Sequence, residues 1–229
     1  MKVSYIALSE KRCTVQFHGC NFRCKGCFTL EKSRRYTEIT PEELSKRIEK
    51  LDVEEVMLAG GEPTLYREDL LEFTKLCDSK TILTTNGHLL DDLFIRSLEE
   101  SGIVKVHIDL KAYSSDLHEW YTGSSNQDVF RAIELLSGTD MDLEVVSVLI
   151  PDIIDIEEIE KIAEFLSNIC DIRYRIIRYV PVGGLSRRPT EDEIREAVST
   201  AKRYLSNVTS SLEWRRHPMK REVDWLGEG

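Results

Sequence analysis

The chain alternates short β-favouring runs with runs of helical periodicity, and this rhythm restricts its fold more than any other feature. Cys13-Thr-Val-Gln-Phe-His18 alternates β-favouring residues and stops at Gly19. Thr40-Pro41-Glu42-Glu43 reads as a helix start, with Leu44, Ile48 and Leu51 at helical spacing behind it. Strands are then expected over Glu55–Ala59, Lys80–Thr84, Ile103–Ile108, Leu143–Ile150 and Arg173–Val180. Helices are expected through Leu70–Leu76, Leu90–Ser101, Val129–Leu136, Ile156–Ile169 and Thr190–Leu205, with a possible last strand around Val208–Trp214. Such an order demands a parallel sheet with right-handed crossovers. About six β-then-α units fall short of the eight that close a full barrel. The expected fold is therefore α/β, an open partial (β/α)6 TIM-like barrel of parallel strands. At 229 residues the chain can bury one sizeable core. The expected organisation is one barrel domain over 1–214 and a C-terminal tail over 215–229, with Trp225 as a possible anchor.

In folds of this kind, ligand chemistry collects at the C-terminal ends of the strands. Four segments follow directly after expected strands: the loop Cys20-Asn-Phe-Arg-Cys24-Lys-Gly-Cys27, then Gly60-Gly61-Glu62-Pro63, Thr85-Asn86-Gly87 and Asp109-Leu-Lys111. The first supplies three thiolates from one tight turn. A [4Fe-4S] cluster usually takes four cysteines, so a three-cysteine loop leaves one iron open to a small molecule. A Cys3His zinc knuckle including His18 is the alternative, although the His-x-Cys spacing is awkward and no second two-ligand knuckle exists in the chain. The glycine pair lets backbone carbonyls approach an ammonium group, with Glu62 adding negative charge. Asp109 can accept from hydroxyls, and Lys111 can neutralise a carboxylate or pair with Asp109. An ammonium and a carboxylate are the two groups with which an amino acid chelates an open iron.

Cys13, Cys77 and Cys170 lie apart in apolar surroundings and read as reduced core residues. With no signal peptide at Met1–Tyr5 and no apolar run near the roughly 20 residues that span a bilayer, the expected location is cytoplasmic, without a membrane partner. A net charge of −10 argues against nucleic acid as a partner. Against that background Arg12, Arg23, Lys25, Lys32, Arg34 and Arg35 bracket the cysteines, a surface suited to an acidic electron carrier.

The C-x3-C-x2-C loop followed by Gly60-Gly61-Glu62-Pro63 resembles the radical S-adenosylmethionine (radical SAM) superfamily. Asp109-Leu-Lys-Ala-Tyr, His118-Glu-Trp-Tyr-Thr-Gly and Ser125-Asn-Gln-Asp-Val resemble the D-x-K segment and downstream helix of glycyl-radical-enzyme activases of the pyruvate formate-lyase activating type. The resemblance covers roughly residues 13 to 205. It implies that Cys20, Cys24 and Cys27 hold a [4Fe-4S] cluster whose fourth iron takes the amino and carboxylate groups of S-adenosylmethionine. It further implies that Gly60, Gly61 and Glu62 hold the amino group, that Pro63 beside them is cofactor-binding, and that Thr85, Asn86, Asp109 and Lys111 line the ribose and carboxylate side. One electron, from a flavodoxin or ferredoxin, would cleave the sulfonium to methionine and a 5′-deoxyadenosyl radical. In the activases that radical takes hydrogen from a glycine of a partner glycyl-radical enzyme. No catalytic side chain beyond the cluster and S-adenosylmethionine is implied.

Several positions depart from the family pattern. Gly26 stands where an aromatic residue often precedes the third cysteine, and Phe28 is a candidate replacement for that adenine-side surface. Glu144–Pro151 lacks the arginine usual before the final proline, Val180 stands near the position of a histidine, and Arg175 or Arg178 is a candidate substitute. No four-cysteine ferredoxin-like insertion is present, so a single cluster is expected. A small-molecule radical enzyme, similar to the 7-carboxy-7-deazaguanine synthases, is the alternative function. A non-catalytic iron-sulfur or zinc protein is a remote third.

Overall fold

The structure, a computed structural model, describes residues 1–27, 35–182 and 184–213, with the backbone of 221–223. Its strands are β1 (Lys2–Leu8), β2 (Arg12–Phe17), β3 (Thr37–Glu38), β4 (Glu55–Gly60), β5 (Lys80–Thr85), β6 (Ile103–Asp109), β7 (Asp142–Leu149), β8 (Arg173–Arg178), β9 (Val208–Ser210) and β10 (Arg221–Val223). Its helices are α1 (Pro41–Glu49), α2 (Arg67–Leu76), α3 (Asp92–Ser101), α4 (Ser115–Thr122), α5 (Gln127–Leu136), α6 (Ile156–Ile169) and α7 (Glu191–Ala201). Strands β2, β4, β5, β6, β7, β8 and β9 pair in that order and all in parallel. β9 lies at one edge of the sheet and β10 at the other, and the sheet does not close.

Local chemistry fixes the helix starts. Thr40 caps α1 in a capping box with Glu43, and Pro41 takes the first helical position, where its missing N–H costs nothing. Thr190 and Glu193 form the same box at α7, and the Asp91 side chain caps α3 by accepting from Phe94 N. Period-2 alternation decides the faces of the strands. Cys13, Val15 and Phe17 of β2, Val56 and Leu58 of β4, Val106 and Ile108 of β6, and Tyr174 and Ile176 of β8 are buried with the helix residues Leu44, Phe73, Leu98, Ile133, Ile162 and Ala197 in one core. The alternate residues occupy the other face, which carries far more polar groups: Thr14, Gln16, Thr84, Lys105, His107, Asp109, Glu144, Arg173 and Arg175.

Two of the features beyond the expected rhythm lie on the β1 side of the sheet. β1 precedes the first expected strand and pairs antiparallel with β2, burying Val3 and Ile6. The segment expected as a tail contributes β10, which pairs antiparallel with β1 through Ile6↔Val223 and Leu8↔Arg221. The outer edge of β1 has unpaired backbone groups at that end, and residues 221–223 satisfy them. Trp214 and Trp225 lie outside the described residues. Among those residues no helix is long and apolar enough to cross a membrane.

Candidate active site

The chain leaves β2 at Phe17, and Gly19 turns it with φ +86°, a region that favours glycine. Tyr66 donates its hydroxyl to the His18 carbonyl at 2.7 Å, fixing the turn from the β4 side. The cysteine loop is then sewn to the C-terminal end of α4: Arg23 N donates to Thr122 O at 2.7 Å and Lys25 N to Tyr121 O at 3.0 Å. Cys27 N donates to Cys24 O at 3.2 Å, closing a tight turn between the last two cysteines. Helix-end carbonyls are otherwise unsatisfied, so the loop answers a need of α4 while α4 holds the loop.

Cys20 is exposed, and Cys24 and Cys27 are half-buried. The Cys20 sulfur accepts from Phe22 N at 3.4 Å and lies 3.9 Å from Asn86 Nδ2. Desolvation pushes the Cys24 thiol up to about 11, with Lys111 pulling the other way, and raises Cys20 for the same first reason. These groups are thiols until a metal displaces their protons. They lie within one another's electrostatic reach, although among the described residues no three His, Cys, Asp or Glu side chains are already gathered into a metal-ligating group. The donor chemistry fits a soft, iron-sulfur type of site, with three thiols on one braced loop and hydrogen-bond donors already directed at one sulfur. Cys13 is buried in the core on β2 and Cys77 directly follows α2, both away from the cysteine loop in the chain, while Cys170, expected in the core, is exposed.

The glycine pair has a packing reason of its own. A Cβ at Gly61 would stand 1.9 Å from Gly19 O, and one at Gly60, where φ is +113°, would stand 2.7 Å from Phe17 N. Gly61 N and Glu62 N donate to Phe17 O and Gly19 O, clamping the end of β4 to the approach to the cysteines. No backbone donor among the described residues is hydrogen-bonded to the Gly61 carbonyl, which leaves it available to an ammonium group.

Glu62, expected on the amino side, is hydrogen-bonded within the chain. It is fully buried, and both carboxylate oxygens are occupied. Oε1 accepts from Thr64 N at 3.0 Å, Thr64 Oγ1 at 2.7 Å and Thr85 Oγ1 at 2.7 Å, while Oε2 accepts from Asn86 N at 2.8 Å. Burial pushes the carboxyl up and these donors pull it down. The residue caps the 3-10 turn that Pro63 opens and ties the end of β4 to the end of β5. Thr85 and Asn86 are both buried, and Asn86 Nδ2 donates to Asn21 Oδ1 at 2.7 Å inside the cysteine loop.

Asp109 and Lys111, at the end of β6, pair with each other at 2.9 Å. Burial opposes the Lys111 ammonium, but Asp109 and the Cys24 and Tyr121 groups around it outweigh that, and its pKa rises. One level below Asp109 on the polar sheet face sits Glu144, 3% exposed, with Arg175 at 2.6 Å, His107 at 3.1 Å and Lys105 at 3.6 Å. Arg175 is thus an ion-paired residue on that face, level with Asp109 through Val146, and not an outward solvated one. Arg178 donates from Nε to Pro189 O at 2.5 Å.

Two expectations about the surroundings change. Arg12 starts β2, at the far end of that strand from the cysteines, and pairs with Glu55, so it is not part of the basic rim. Of the rest, Lys25 lies over the exposed Trp120 ring at 5.1 Å, while Phe28, Lys32 and Arg34 lie outside the described residues. Sequence reasoning assigned no role to Tyr121 and Tyr179, which close over Gly26. The only signal was the glycine itself, standing where an aromatic residue was expected.

Comparison with known proteins agrees with this geometry. The family model of the radical SAM superfamily matches residues 14–166. A Methanocaldococcus jannaschii protein, provisionally named a glycyl-radical enzyme activating enzyme, is 40% identical over 97% of this chain and 89% of its own length. A GTP 3′,8-cyclase of Aquifex aeolicus is 31% identical over 80% of this chain, which spans 58% of the cyclase. The crystal structure of Streptococcus suis SuiB bound to the precursor peptide SuiA superposes with a TM-score of 0.73 at 18% identity, over 90% of this chain and 50% of SuiB, a likeness of fold. Its cysteine loop, its strand-end turns and a family pattern spanning most of its length agree, and the chain belongs to the radical SAM superfamily.

Proposed function

We propose that the protein is an activase, which generates a 5′-deoxyadenosyl radical from S-adenosylmethionine and removes a hydrogen atom from a glycine of a partner glycyl-radical enzyme. The observation that carries this reading is the convergence of the cysteine loop, the Gly60–Pro63 turn, Thr85–Asn86 and the Asp109–Lys111 pair at one end of a sheet that does not close. An open sheet admits a polypeptide loop where a closed barrel excludes it. The near full-length similarity to the M. jannaschii protein supports the same choice. Cys20, Cys24 and Cys27 hold a [4Fe-4S] cluster, Gly60 and Gly61 face the amino group of S-adenosylmethionine, and Asp109 and Lys111 face its ribose and carboxylate. The cluster supplies the electron that cleaves the sulfonium. Thr85, Asn86, Glu62 and Pro63 brace these groups. An acidic flavodoxin or ferredoxin docks beside Arg23 and Lys25, and the setting is cytoplasmic.

A second reading, a small-molecule radical enzyme, is favoured by the similarity to the GTP 3′,8-cyclase and by the charged floor of Lys105, His107 and Arg175 around Glu144. Anaerobically reconstituted protein with dithionite and S-adenosylmethionine is expected to release 5′-deoxyadenosine. With the product of a neighbouring glycyl-radical-enzyme gene it is expected to leave a stable glycyl EPR signal there. Absence of 5′-deoxyadenosine refutes both readings, and turnover of a metabolite without a partner protein refutes the first.

A further inference from the structure

The polar face of the sheet carries a group of side chains that the cysteine end does not use. Lys105 and His107 of β6, Asp142 and Glu144 of β7, Arg173 and Arg175 of β8 and Thr209 of β9 share that face, because residues aligned in parallel register point the same way. Three of them are cations and two are carboxylates, in a chain whose net charge is −10. Arg173 pairs with Asp142, and Arg175 with Glu144 at 2.6 Å. Each carboxylate therefore has an arginine already. Lys105 is the third cation, and its ammonium stands 3.6 Å from both carboxylates, beyond hydrogen-bond reach.

Other polar atoms of the same face are buried without a hydrogen-bond partner among the described residues. They are Glu144 Oε2, His107 Nε2 and Thr209 Oγ1. The first two stand 3.1 Å apart without the geometry of a hydrogen bond. A network kept for stability closes its hydrogen bonds, since each one left open in a buried place costs free energy and buried ion pairs add little stability of their own. This one is open on three strands. An anion between Lys105, Arg175 and Thr209, which stands beside Arg175 in register, gives the ammonium and the hydroxyl an acceptor and answers the third positive charge. Glu144 holds the Arg175 guanidinium in place for it.

The group also stands at a useful depth. Arg175 is level with Asp109 through Val146, and His107 and Glu144 lie one alternation lower, about 7 Å along the strands. We infer that Lys105, Arg175 and Thr209 form a subsite that binds one anionic group of the substrate, a carboxylate or a phosphate, carried about 7 Å from the carbon that loses hydrogen. This rests on the reading of the strand ends as the radical-generating centre. The three residues position the substrate and take no part in bond making.

The test is titration of anaerobically reconstituted protein, with S-adenosylmethionine and without reductant, with inorganic phosphate followed by phosphorus NMR line broadening. Saturable binding is expected in the wild type, weakened about tenfold in Lys105→Met and in Arg175→Met by the loss of one charge-assisted hydrogen bond. Lys105→Arg is expected to restore it, and Lys202→Met, which removes an exposed cation after α7, to leave it intact. Thr209→Val changes no charge and is expected to weaken binding about fivefold. Should the methionine variants fail to fold, judged by urea unfolding, Thr209→Val and Lys105→Arg decide. In turnover the same variants are expected to raise KM and leave kcat in place. Phosphate that competes with the partner protein in glycyl-radical formation assigns the anionic group to a side chain of that protein, and phosphate that competes with a metabolite assigns it to a small molecule. No saturable binding, an equal loss in Lys202→Met, or binding unchanged in Lys105→Met and Thr209→Val overturns the inference. A protein that takes up iron and sulfide but releases no 5′-deoxyadenosine overturns the reading of the centre instead, whatever phosphate does.

Discussion

The Glu62 carboxylate gives the sharpest test of the site, because facing the ligand's ammonium and bracing the chain's own loops predict opposite behaviour. In Glu62→Gln the amide oxygen can keep the three bonds to Thr64 N, Thr64 Oγ1 and Thr85 Oγ1 that Oε1 now makes. The amide nitrogen then stands where Oε2 accepts from Asn86 N at 2.8 Å, so a donor faces a donor. Flipping the amide rescues Asn86 and forfeits the other three. The loss is one hydrogen bond to a charged group, about 1.5–3 kcal/mol, together with part of the desolvation cost of a stranded buried N–H, about 1–3 kcal/mol. A total of about 3 kcal/mol is a reasonable centre, because removing the buried charge returns some free energy. With a urea m-value of about 2 kcal/mol/M, the unfolding midpoint falls by roughly 1.5 M.

The assay is urea unfolding of the metal-free protein under anaerobic conditions, followed by circular dichroism and by tryptophan fluorescence. Coincident transitions by the two probes license the two-state treatment. The metal-free form is the right sample because none of the four bonds involves a cysteine. A midpoint unchanged in Glu62→Gln, combined with a tenfold or greater loss of S-adenosylmethionine affinity in the reconstituted protein, refutes the reasoning. That result would return the carboxylate to the ammonium side. A large stability loss with affinity preserved in the folded fraction supports the brace.

Other consequences can be checked with the same preparations. Serine at Cys20, Cys24 or Cys27 is expected to abolish iron and sulfide uptake, whereas serine at Cys77 or Cys170 leaves it intact, as measured by iron analysis and visible absorbance. Gly61→Ala drives a Cβ into the Gly19 carbonyl, backbone against backbone, and at about 3 kcal/mol of strain lowers Tm by roughly 6–12 °C. Gly102→Ala, where φ is +100° but nothing lies within 4 Å, is expected to cost only about 1 kcal/mol. Burial raises the Glu144 carboxyl, but His107 at 3.1 Å and the charges of Arg175 and Lys105 outweigh it and hold the pKa below its ordinary 4.5. A depressed carboxylate contributes stability above its unfolded pKa and loses it as pH falls through the folded value, so this contribution disappears below about 4.5. Urea midpoints measured across that range are expected to fall less steeply in Glu144→Gln than in the wild type.

The fold was legible where a strand alternates in burial, as β2 and β8 do, and where a side chain caps a helix, as at α1, α3, α6 and α7. Both signals are local, and Thr40-Pro-Glu-Glu or Cys13-Thr-Val-Gln-Phe carry them whole. What stayed hidden depends on distance through space. Lys2–Leu8 alternates less clearly, and only its pairing with β2 makes it a strand. Arg12 stands close to Cys20 in sequence, but a six-residue strand carries the chain roughly 20 Å between them. The cluster of strand-end motifs was visible, whereas the direction of the Glu62 side chain was not. A carboxylate after a glycine pair serves a ligand or its own loops equally well, and only the four converging donors separate the two.

Those donors belong to a larger circuit that explains how a site made of loops can be held firmly. Gly61 N and Glu62 N clamp the end of β4 to Phe17 and Gly19, Glu62 ties β4 to Thr85 and Asn86 of β5, and Asn86 reaches Asn21 in the cysteine loop. The same loop is bound through Arg23 and Lys25 to the end of α4, the helix that follows Asp109 and Lys111. Each link joins the end of one β-then-α unit to another, and several are buried, where an unmade bond is expensive. A radical enzyme needs its reactive groups pre-placed, because positioning is the protein's share of the chemistry. It follows that weakening any one brace should loosen the others, so Glu62→Gln should broaden the EPR line of a cluster that Glu62 never touches. A line shape indifferent to that change would mean the loops are held independently, and the circuit would be only a set of neighbours.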